Sequence, residues 1–314
     1  MPALRYARRV RIASLVPAGT EIVCALGAGD RLVAVTHDCD HPDFVRGLPR
    51  LTRTTIPVGA SSGEIDGLVR SAGERGESTF HLDGDALRAA RPDVIVGQTI
   101  CRVCAVTFEQ IPASLPVPPT VVPLDATSLE GVFADIRRVG DALDLREPAE
   151  DLAAGLRARI EAVSCAVERE PRPRVVCLEW ADPLFQVGHW VPEQVHEAGG
   201  LDVLGVPGAR SRELAWDEVI AADPDVLVVM PCGFGTERAV AEAATLAARP
   251  GWRTLSAVRS GRVYATDGSA YFSRPGPRVV DGIEILAGLL HPSRVPAPAT
   301  AVARPVASVI GSPR

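Results

Sequence analysis

Short apolar runs rich in Val, Ile and Leu alternate along the chain with stretches whose apolar residues recur every three or four positions. Runs of this length are typical of buried strands and the spacing of the stretches is typical of helices, so the alternation predicts parallel sheets flanked by helices. Helices are predicted, for example, at residues 21–28 and 193–198. The predicted strands are residues 10–15, 31–35, 93–96, 120–123, 174–178, 226–230 and 262–265.

Two segments in different halves of the chain share one pattern. LDGDALRAARPDVIVGQ (82–98) and LAWDEVIAADPDVLVVM (214–230) each read as a helix, a Pro-Asp turn and a buried strand. The match indicates two lobes of like construction, although helix–turn–strand units are common enough for a chance similarity to remain an alternative.

The longest stretch without a predicted strand separates these halves. Residues 149–170 show helical spacing and end before Pro171 and Pro173, which predicts one long helix that links the lobes. Four prolines and no helical period predict a disordered tail at the C-terminus. The predicted organisation is an N-terminal α/β lobe at 1–148, a linker helix at 149–170, a C-terminal α/β lobe at 171–292 and the tail at 293–314.

Charge and hydropathy exclude several classes of protein. The chain contains no lysine and its net charge is −6, so it lacks the basic surface that nucleic acid requires. The uncharged run 110–124 contains too many prolines to span a membrane. Arg11 interrupts an N-terminal apolar stretch already too short for a signal peptide, which predicts a cytoplasmic protein. Phosphate-loop and Gly-x-Ser-x-Gly hydrolase motifs are absent from the sequence.

Aromatic residues, only 4 % of the chain, concentrate in loops that follow predicted strands of the second half. In open parallel sheets such loops hold the ligand, so the aromatic side chains could form a flat wall for a large ligand. The alternative is a local cluster that packs the loops on the sheet. Arg274 and Arg278 could bind carboxylates or phosphates of that ligand, or backbone carbonyls of their own loop. The loop aromatics are Trp180, Phe185, Trp190, Phe234, Tyr271 and Phe272.

Cysteines also follow predicted strands. Cys101 and Cys104 form a C-x-x-C pair, and Cys39 and Cys232 follow other strands. Thiolates at one place would suit zinc or an iron–sulfur centre, with His37 or His41 as substitutes for Cys232. The alternatives are small buried thiols that pack as hydrophobic groups and a redox pair at a helix N-terminus.

Several segments resemble one known family. RIASLVPAGTEIVCALGAGDRLVAVT, ARPDVIVGQ, ADPDVLVVM and WRTLSAVRSGRVYATDG resemble, in this order, the substrate-binding proteins of ABC importers that carry vitamin B12 and iron–siderophore chelates. The loops EWADPLFQVGHWVPE, CRVCA and YFSRPGPR are similar to those of a cobalamin-binding subgroup. The resemblance covers about residues 10–292.

This resemblance implies two Rossmann-like lobes joined by one long helix, with a corrinoid or other metal chelate bound between them and no enzymatic activity. It also implies an ABC transporter permease as a partner. Family members that serve importers are exported or lipid-anchored, and this sequence shows neither signal. The residues expected at the ligand are Thr20, Gln98, Glu179, Trp180, Phe185, His189, Trp190, Tyr271, Phe272, Arg274 and Arg278.

A second hypothesis comes from the cysteines. It is a cytoplasmic metalloprotein or redox enzyme in which zinc or an iron–sulfur cluster occupies the same cleft. Its metal ligands would be Cys39, Cys101, Cys104 and Cys232.

Overall fold

Parallel strands form the main sheet in each half of the chain, as the sequence pattern predicts. The computed structural model describes residues 9–99, 106, 111, 115 and 117–306. Contacts divide the chain into two units, and each unit takes up several segments of the sequence. Unit 1 comprises Met1–Ile56, Ala72–Asp125 and Phe133–Ala153, and unit 2 comprises Pro57–Ser71, Ala126–Val132 and Ala154–Arg314.

The sheet of unit 1 has the strand order β2-β1-β5-β6, with every pairing parallel. A separate antiparallel pair joins β3 to β4, with Thr52 opposite Leu82. The strands of the first half are β1 (Ile12–Ser14), β2 (Leu32–Ala34), β3 (Thr52–Thr54), β4 (Phe80–Leu82), β5 (Val94–Gln98) and β6 (Thr120–Leu124). The helices up to the second sheet are α1 (Pro17–Ala25), α2 (Ser62–Glu74), α3 (Gly84–Ala90), α4 (Leu129–Ala142) and α5 (Arg146–Val167).

Local chemistry explains where these helices begin. Pro17 occupies the first turn of α1, where its fixed φ suits the helix and its missing N–H costs nothing. The Asp83 carboxylate caps α3 by accepting a hydrogen bond from the Ala86 amide at 2.9 Å. Apolar side chains from α3, from β5 and from the residue after β1, among them Leu87, Ile95 and Leu15, are fully buried against the sheet.

The sheet of unit 2 has the order β10-β8-β7-β11-β12-β13, and β9 pairs with β7. Strands β7, β11 and β12 are parallel, whereas β8, β10 and β13 run antiparallel to their neighbours. The strands are β7 (Arg174–Ala181), β8 (Leu184–Gln186), β9 (Leu201–Asp202), β10 (Arg212–Glu213), β11 (Val226–Val229), β12 (Val263–Thr266) and β13 (Ala303–Pro305). The helices are α6 (Val191–Glu197), α7 (Trp216–Ala222), α8 (Thr236–Thr245), α9 (Ser256–Arg259), α10 (Gly268–Tyr271) and α11 (Val279–Leu290).

The single helical link between the lobes is not confirmed, and the expectation of a disordered tail needs correction. The predicted linker helix exists as α5, but a single connection is not confirmed, because the chain also passes between the units at Ile56, Ser71, Asp125 and Val132. The segment expected to be a disordered tail contains β13, which pairs with β12. The Thr266 hydroxyl donates to the Val302 carbonyl at 2.7 Å, so hydrogen bonds rather than a helical period order residues 302–305.

Candidate functional site

Three loops of unit 2 meet at the carboxyl ends of β7, β11 and β12, the edge where ligands bind in open parallel sheets. The Cys232 amide donates to the Glu179 carbonyl at 3.0 Å, and the Ser269 amide donates to the Phe234 carbonyl at 3.2 Å. Gly268 lies so close to the carbonyls of Met230 and Pro231 that a Cβ atom would collide with them. Backbone contacts therefore hold the three loops together.

The strands β7 and β8 carry two aromatic side chains on one face, close to the turn that joins them. We call residues 180–185 the hairpin end. Trp180 lies opposite Phe185 in the strand register, and side chains of such a pair share a face of the sheet. Both are half-buried. The Trp180 ring also lies 5.1 Å from the ring of Phe234, at an interplanar angle of 50°. The hairpin end thus offers partly accessible aromatic surface.

His189 and Trp190 lie elsewhere, because β8 runs back along β7. Gln186 is opposite Leu178, and the Val187 amide donates to the Cys177 carbonyl. At about 3.3 Å per residue, this level is roughly 13 Å along the strand from Ala181. We call residues 187–190 the return loop. The structure therefore does not bring His189 and Trp190 to the hairpin end, although the sequence places them in the same loop.

The return loop is packed rather than open. The Trp190 side chain is only 6 % exposed, and the His189 amide donates to the Ala209 carbonyl at 2.6 Å. His189 adopts φ 52°, a left-handed conformation that is uncommon outside glycine. Burial and the positive charge of Arg210 lower the pKa of its imidazole below the ordinary value. Among the described residues, the buried Nε2 of His189 and Nε1 of Trp190 have no hydrogen-bond partner.

The loop after β12 divides its side chains in the same way. Phe272 is 3 % exposed, whereas Tyr271 is half-buried and lies 5.7 Å from the guanidinium carbon of Arg278. Arg274 is 9 % exposed and donates to the Ser269 hydroxyl at 3.1 Å. Arg274 therefore binds a group of its own loop, and Arg278 lies over an aromatic ring.

The candidates of unit 1 are mainly buried. The Cys39 side chain, 1 % exposed, has its sulfur 3.0 Å from the Thr20 hydroxyl and 3.1 Å from the Thr36 hydroxyl. Gln98, the last residue of β5, is also buried. Burial, followed by the negative charge of Glu21, raises the pKa of the nearby Cys24 thiol to about 11.

The predicted cysteine metal site receives no support. Cys101 and Cys104 lie outside the described residues. Among the residues that are described, no group of three or more His, Cys, Asp and Glu side chains is placed to hold a metal ion. The sulfur of Cys39 is engaged by threonine hydroxyls, which agrees with a buried packing thiol.

Three further residues of unit 2 lie around Trp180 and Phe234 and were not expected from the sequence. They are Ser62, Arg238 and Glu242. Ser62 accepts a hydrogen bond through its carbonyl from Trp180 Nε1 at 3.2 Å, and its hydroxyl donates to Glu242 at 2.6 Å. The Arg238 guanidinium stacks on Phe234, 3.5 Å from the ring centre. Cation–π contact between Arg238 and Phe234 could have been suspected from their spacing, but no sequence pattern connects residue 62 to this sheet edge.

A pocket of about 500 Å³ lies at the opposite edge, beside the amino ends of β7, β11 and β12. Two arginines that line it form hydrogen bonds to backbone carbonyls. Arg262 donates to the Leu290 carbonyl, and Arg172 donates to the His196 carbonyl. This pocket therefore gives no reason to move the candidate site away from the carboxyl edge. Within the part of the chain that the structure describes, no helix has the length and apolar character of a membrane span.

Comparisons with known proteins give one consistent result. The sequence profile described as periplasmic binding protein matches residues 12–270. An uncharacterized ABC transporter substrate-binding lipoprotein of Bacillus subtilis, YvrC, is 23 % identical over 90 % of this chain and 80 % of its own length. The vitamin B12-binding protein of Vibrio cholerae is 22 % identical over 87 % of this chain and 86 % of its own length.

A solved structure extends the likeness to the fold. The apo form of the periplasmic heme-binding protein RhuT from Roseiflexus is 25 % identical, with a TM-score of 0.68 over 91 % of this chain and 99 % of that protein. The predicted two-lobed α/β fold is confirmed. The prediction of a cytoplasmic protein is wrong, because RhuT is a periplasmic protein and YvrC is a lipoprotein. The short apolar stretch before Arg11 was insufficient ground for that prediction.

Proposed function

The chain belongs to the periplasmic binding protein family, and we propose that it binds a metal chelate of the corrinoid, haem or siderophore type on behalf of an ABC transporter. The family consists of solute-binding proteins, so the expectation that the chain is not an enzyme is confirmed. Within this range we propose a corrinoid such as cobalamin as the ligand.

The observation that carries this proposal is the half-buried aromatic surface at the hairpin end. Trp180 and Phe185 share one face, and Phe234 lies against Trp180. Rings of this kind bury a large apolar area and lose little conformational entropy, which suits a planar macrocycle better than a small polar solute.

Polar contacts would come from the loop after β12. Arg278 is partly exposed above Tyr271, and a guanidinium there suits the phosphate of a corrinoid or a propionate of haem. Arg274, buried and bonded to Ser269, would support this loop from behind. Trp190 and Phe272 have the same supporting role for the aromatic loops, since both are buried.

The relatives support both the ligand class and the partner. The Vibrio cholerae relative is a vitamin B12-binding protein, the Roseiflexus protein is a heme-binding protein, and YvrC is a substrate-binding lipoprotein of an ABC transporter. We therefore propose an ABC permease as the partner of this chain. The zinc or iron–sulfur enzyme considered above has no corresponding observation among the described residues.

Isothermal titration of the purified protein with cyanocobalamin, haemin and a ferric hydroxamate tests the ligand. We expect saturable 1:1 binding of cyanocobalamin at micromolar or lower Kd, which corresponds to a binding free energy of about −8 kcal/mol or better. Preferential binding of haemin would support the proposed site but would show that the ligand is haem rather than a corrinoid. If none of the three chelates binds, the proposed function is wrong.

A further inference from the structure

Residues 57–71 stand out because they belong to unit 2 although both neighbouring strands, β3 and β4, belong to unit 1. We call Pro57–Ser71 the strap. It contains the first ten residues of α2, which begins at Ser62. Nothing in the pairing of β3 with β4 requires an excursion of this length, because an antiparallel pair needs only a short turn.

The strap contacts Trp180 directly and reaches Phe234 through Arg238. Trp180 donates its Nε1–H to the Ser62 carbonyl at 3.2 Å, so the indole edge is covered by the strap backbone. Arg238, whose guanidinium stacks on Phe234, donates to the Ala60 carbonyl. Of these two rings, Trp180 belongs to the accessible aromatic surface, whereas Phe234 is only 5 % exposed. The strap is therefore attached directly beside that surface.

A third bond and one close approach fix the register of the strap. The Ser62 hydroxyl donates to Glu242 of α8 at 2.6 Å. A Cβ atom at Gly63 would lie 2.8 Å from an Asp182 carboxylate oxygen, so only glycine fits against the turn of the hairpin end without displacing that side chain. The strap is thus seated by specific contacts at its beginning, between Ala60 and Gly63.

The apolar hold on the strap is weak. Among its residues only Ala60 and Ser62 are buried, and Val58 and Leu68 are exposed. Its far end has the exposed ion pair of Arg70 with Glu213, and exposed pairs contribute little stability. Segments with few buried apolar contacts open at a low free-energy cost while the rest of a domain stays folded.

We propose that the strap is a detachable cover of the Trp180–Phe234 pair, and that its release opens the indole face of Trp180 to the ligand. The three polar bonds of Ser62 and Arg238 hold it closed. This inference rests on the proposed function for the identity of the ligand, but the attachment itself can be tested without any ligand.

The first experiment measures the accessibility of Trp180 in the ligand-free protein. Acrylamide quenching is recorded for each protein and for its Trp180→Phe counterpart, and the difference isolates Trp180. In the double variant Ser62→Ala/Glu242→Gln, we expect the Stern–Volmer constant of Trp180 to rise about twofold or more. Glu242→Gln alone serves as a milder second variant if the double variant fails to fold.

The chain offers a matched control. Ser164 of α5 donates to Glu197 of α6 through the same hydroxyl–carboxylate chemistry, also at 2.6 Å, but neither residue belongs to the strap. Ser164→Ala/Glu197→Gln should therefore leave the quenching of Trp180 unchanged. Equal quenching in the wild type and the Ser62→Ala/Glu242→Gln variant, or an equal rise in the control, would overturn the detachable cover.

The second experiment measures cyanocobalamin association by stopped-flow absorbance. If the strap must open first, Ser62→Ala/Glu242→Gln should associate severalfold faster than the wild type and the Ser164→Ala/Glu197→Gln control. Cyanocobalamin binding with equal association rates in all three proteins contradicts the cover. Absence of cyanocobalamin binding in all three proteins refutes the proposed ligand instead. The quenching experiment then decides alone whether the strap is a detachable cover.

Discussion

The hairpin end and the return loop are separated in sequence only by Gln186, carry the same kinds of side chain and have different roles in the structure. At the hairpin end, Trp180 and Phe185 keep part of their surface accessible. In the return loop, Trp190 is almost fully buried. The antiparallel course of β8 causes the difference, because it carries the chain away from the carboxyl edge of the sheet. An aromatic cluster in sequence is therefore two sets in space, one able to contact a ligand and one that packs the loop.

The most severe test of this division is the stability of Trp190→Ala. Removal of a nearly buried indole leaves a cavity, so we expect a loss of about 3–5 kcal/mol in the free energy of unfolding. Phe185→Ala, at a half-buried position, should cost only about 1 kcal/mol. Urea unfolding followed by circular dichroism measures both. Similar losses in the two variants would show that the return loop and the hairpin end do not differ in packing.

Ligand affinity should show the reverse order. Phe185→Ala removes accessible aromatic surface and should weaken cyanocobalamin binding by about 5- to 150-fold, or 1–3 kcal/mol. Trp190→Phe keeps a large aromatic group in the packed return loop and should change the Kd by less than about threefold. Isothermal titration of the two variants beside the wild type measures the difference. An unchanged Kd in Phe185→Ala would remove the hairpin end from the ligand site.

Backbone packing of the return loop gives a third comparison. A Cβ atom at Gly188 would lie 2.5 Å from both the Ala209 carbonyl and the Ser211 amide nitrogen, neither of which can move alone. We therefore expect Gly188→Ala to lower the free energy of unfolding by about 1–3 kcal/mol. Gly155→Ala is the control, because Gly155 lies exposed in α5 with open space around its Cα. That variant should gain about 0.5–1 kcal/mol from helix propensity.

The sequence predicted those features that depend on local hydrophobic patterning. The strands β1, β5, β7, β11 and β12 lie where continuous apolar runs occur, because a strand buried on both faces needs apolar side chains throughout. The strand β8 follows Pro183 and ends at Gln186, so no continuous apolar run marks it in the sequence. Its presence converts one predicted loop into a hairpin end and a return loop.

The missed parts of the site depend on contacts between distant segments. Ser62 meets Glu242 across 180 positions of the sequence, and a serine at the start of a polar helix carries no signal for that contact. The tail was missed for a similar reason, since β13 is ordered by pairing with β12 rather than by its own composition. Loop aromatics could be predicted as a set, but only the strand register separates the buried members from the accessible ones.

The smallest expected effect concerns the pH dependence of the return loop. Burial and Arg210 hold the pKa of His189 below its ordinary value, so the unfolded chain binds a proton near pH 6.5 that the folded chain takes up only at lower pH. The free energy of unfolding should consequently fall as the pH drops below about 6.5.

His189→Asn isolates this contribution, because asparagine tolerates the left-handed conformation that His189 adopts at φ 52° and does not titrate. We expect the wild type to lose more unfolding free energy than His189→Asn between pH 7.5 and pH 5.5, as measured by urea unfolding at both values. The same measurements on His81→Asn give the change caused by loss of a histidine outside the return loop. Identical losses in the wild type and His189→Asn would mean that the imidazole is not shielded from water, and the packed character of the return loop would then rest on Trp190 alone.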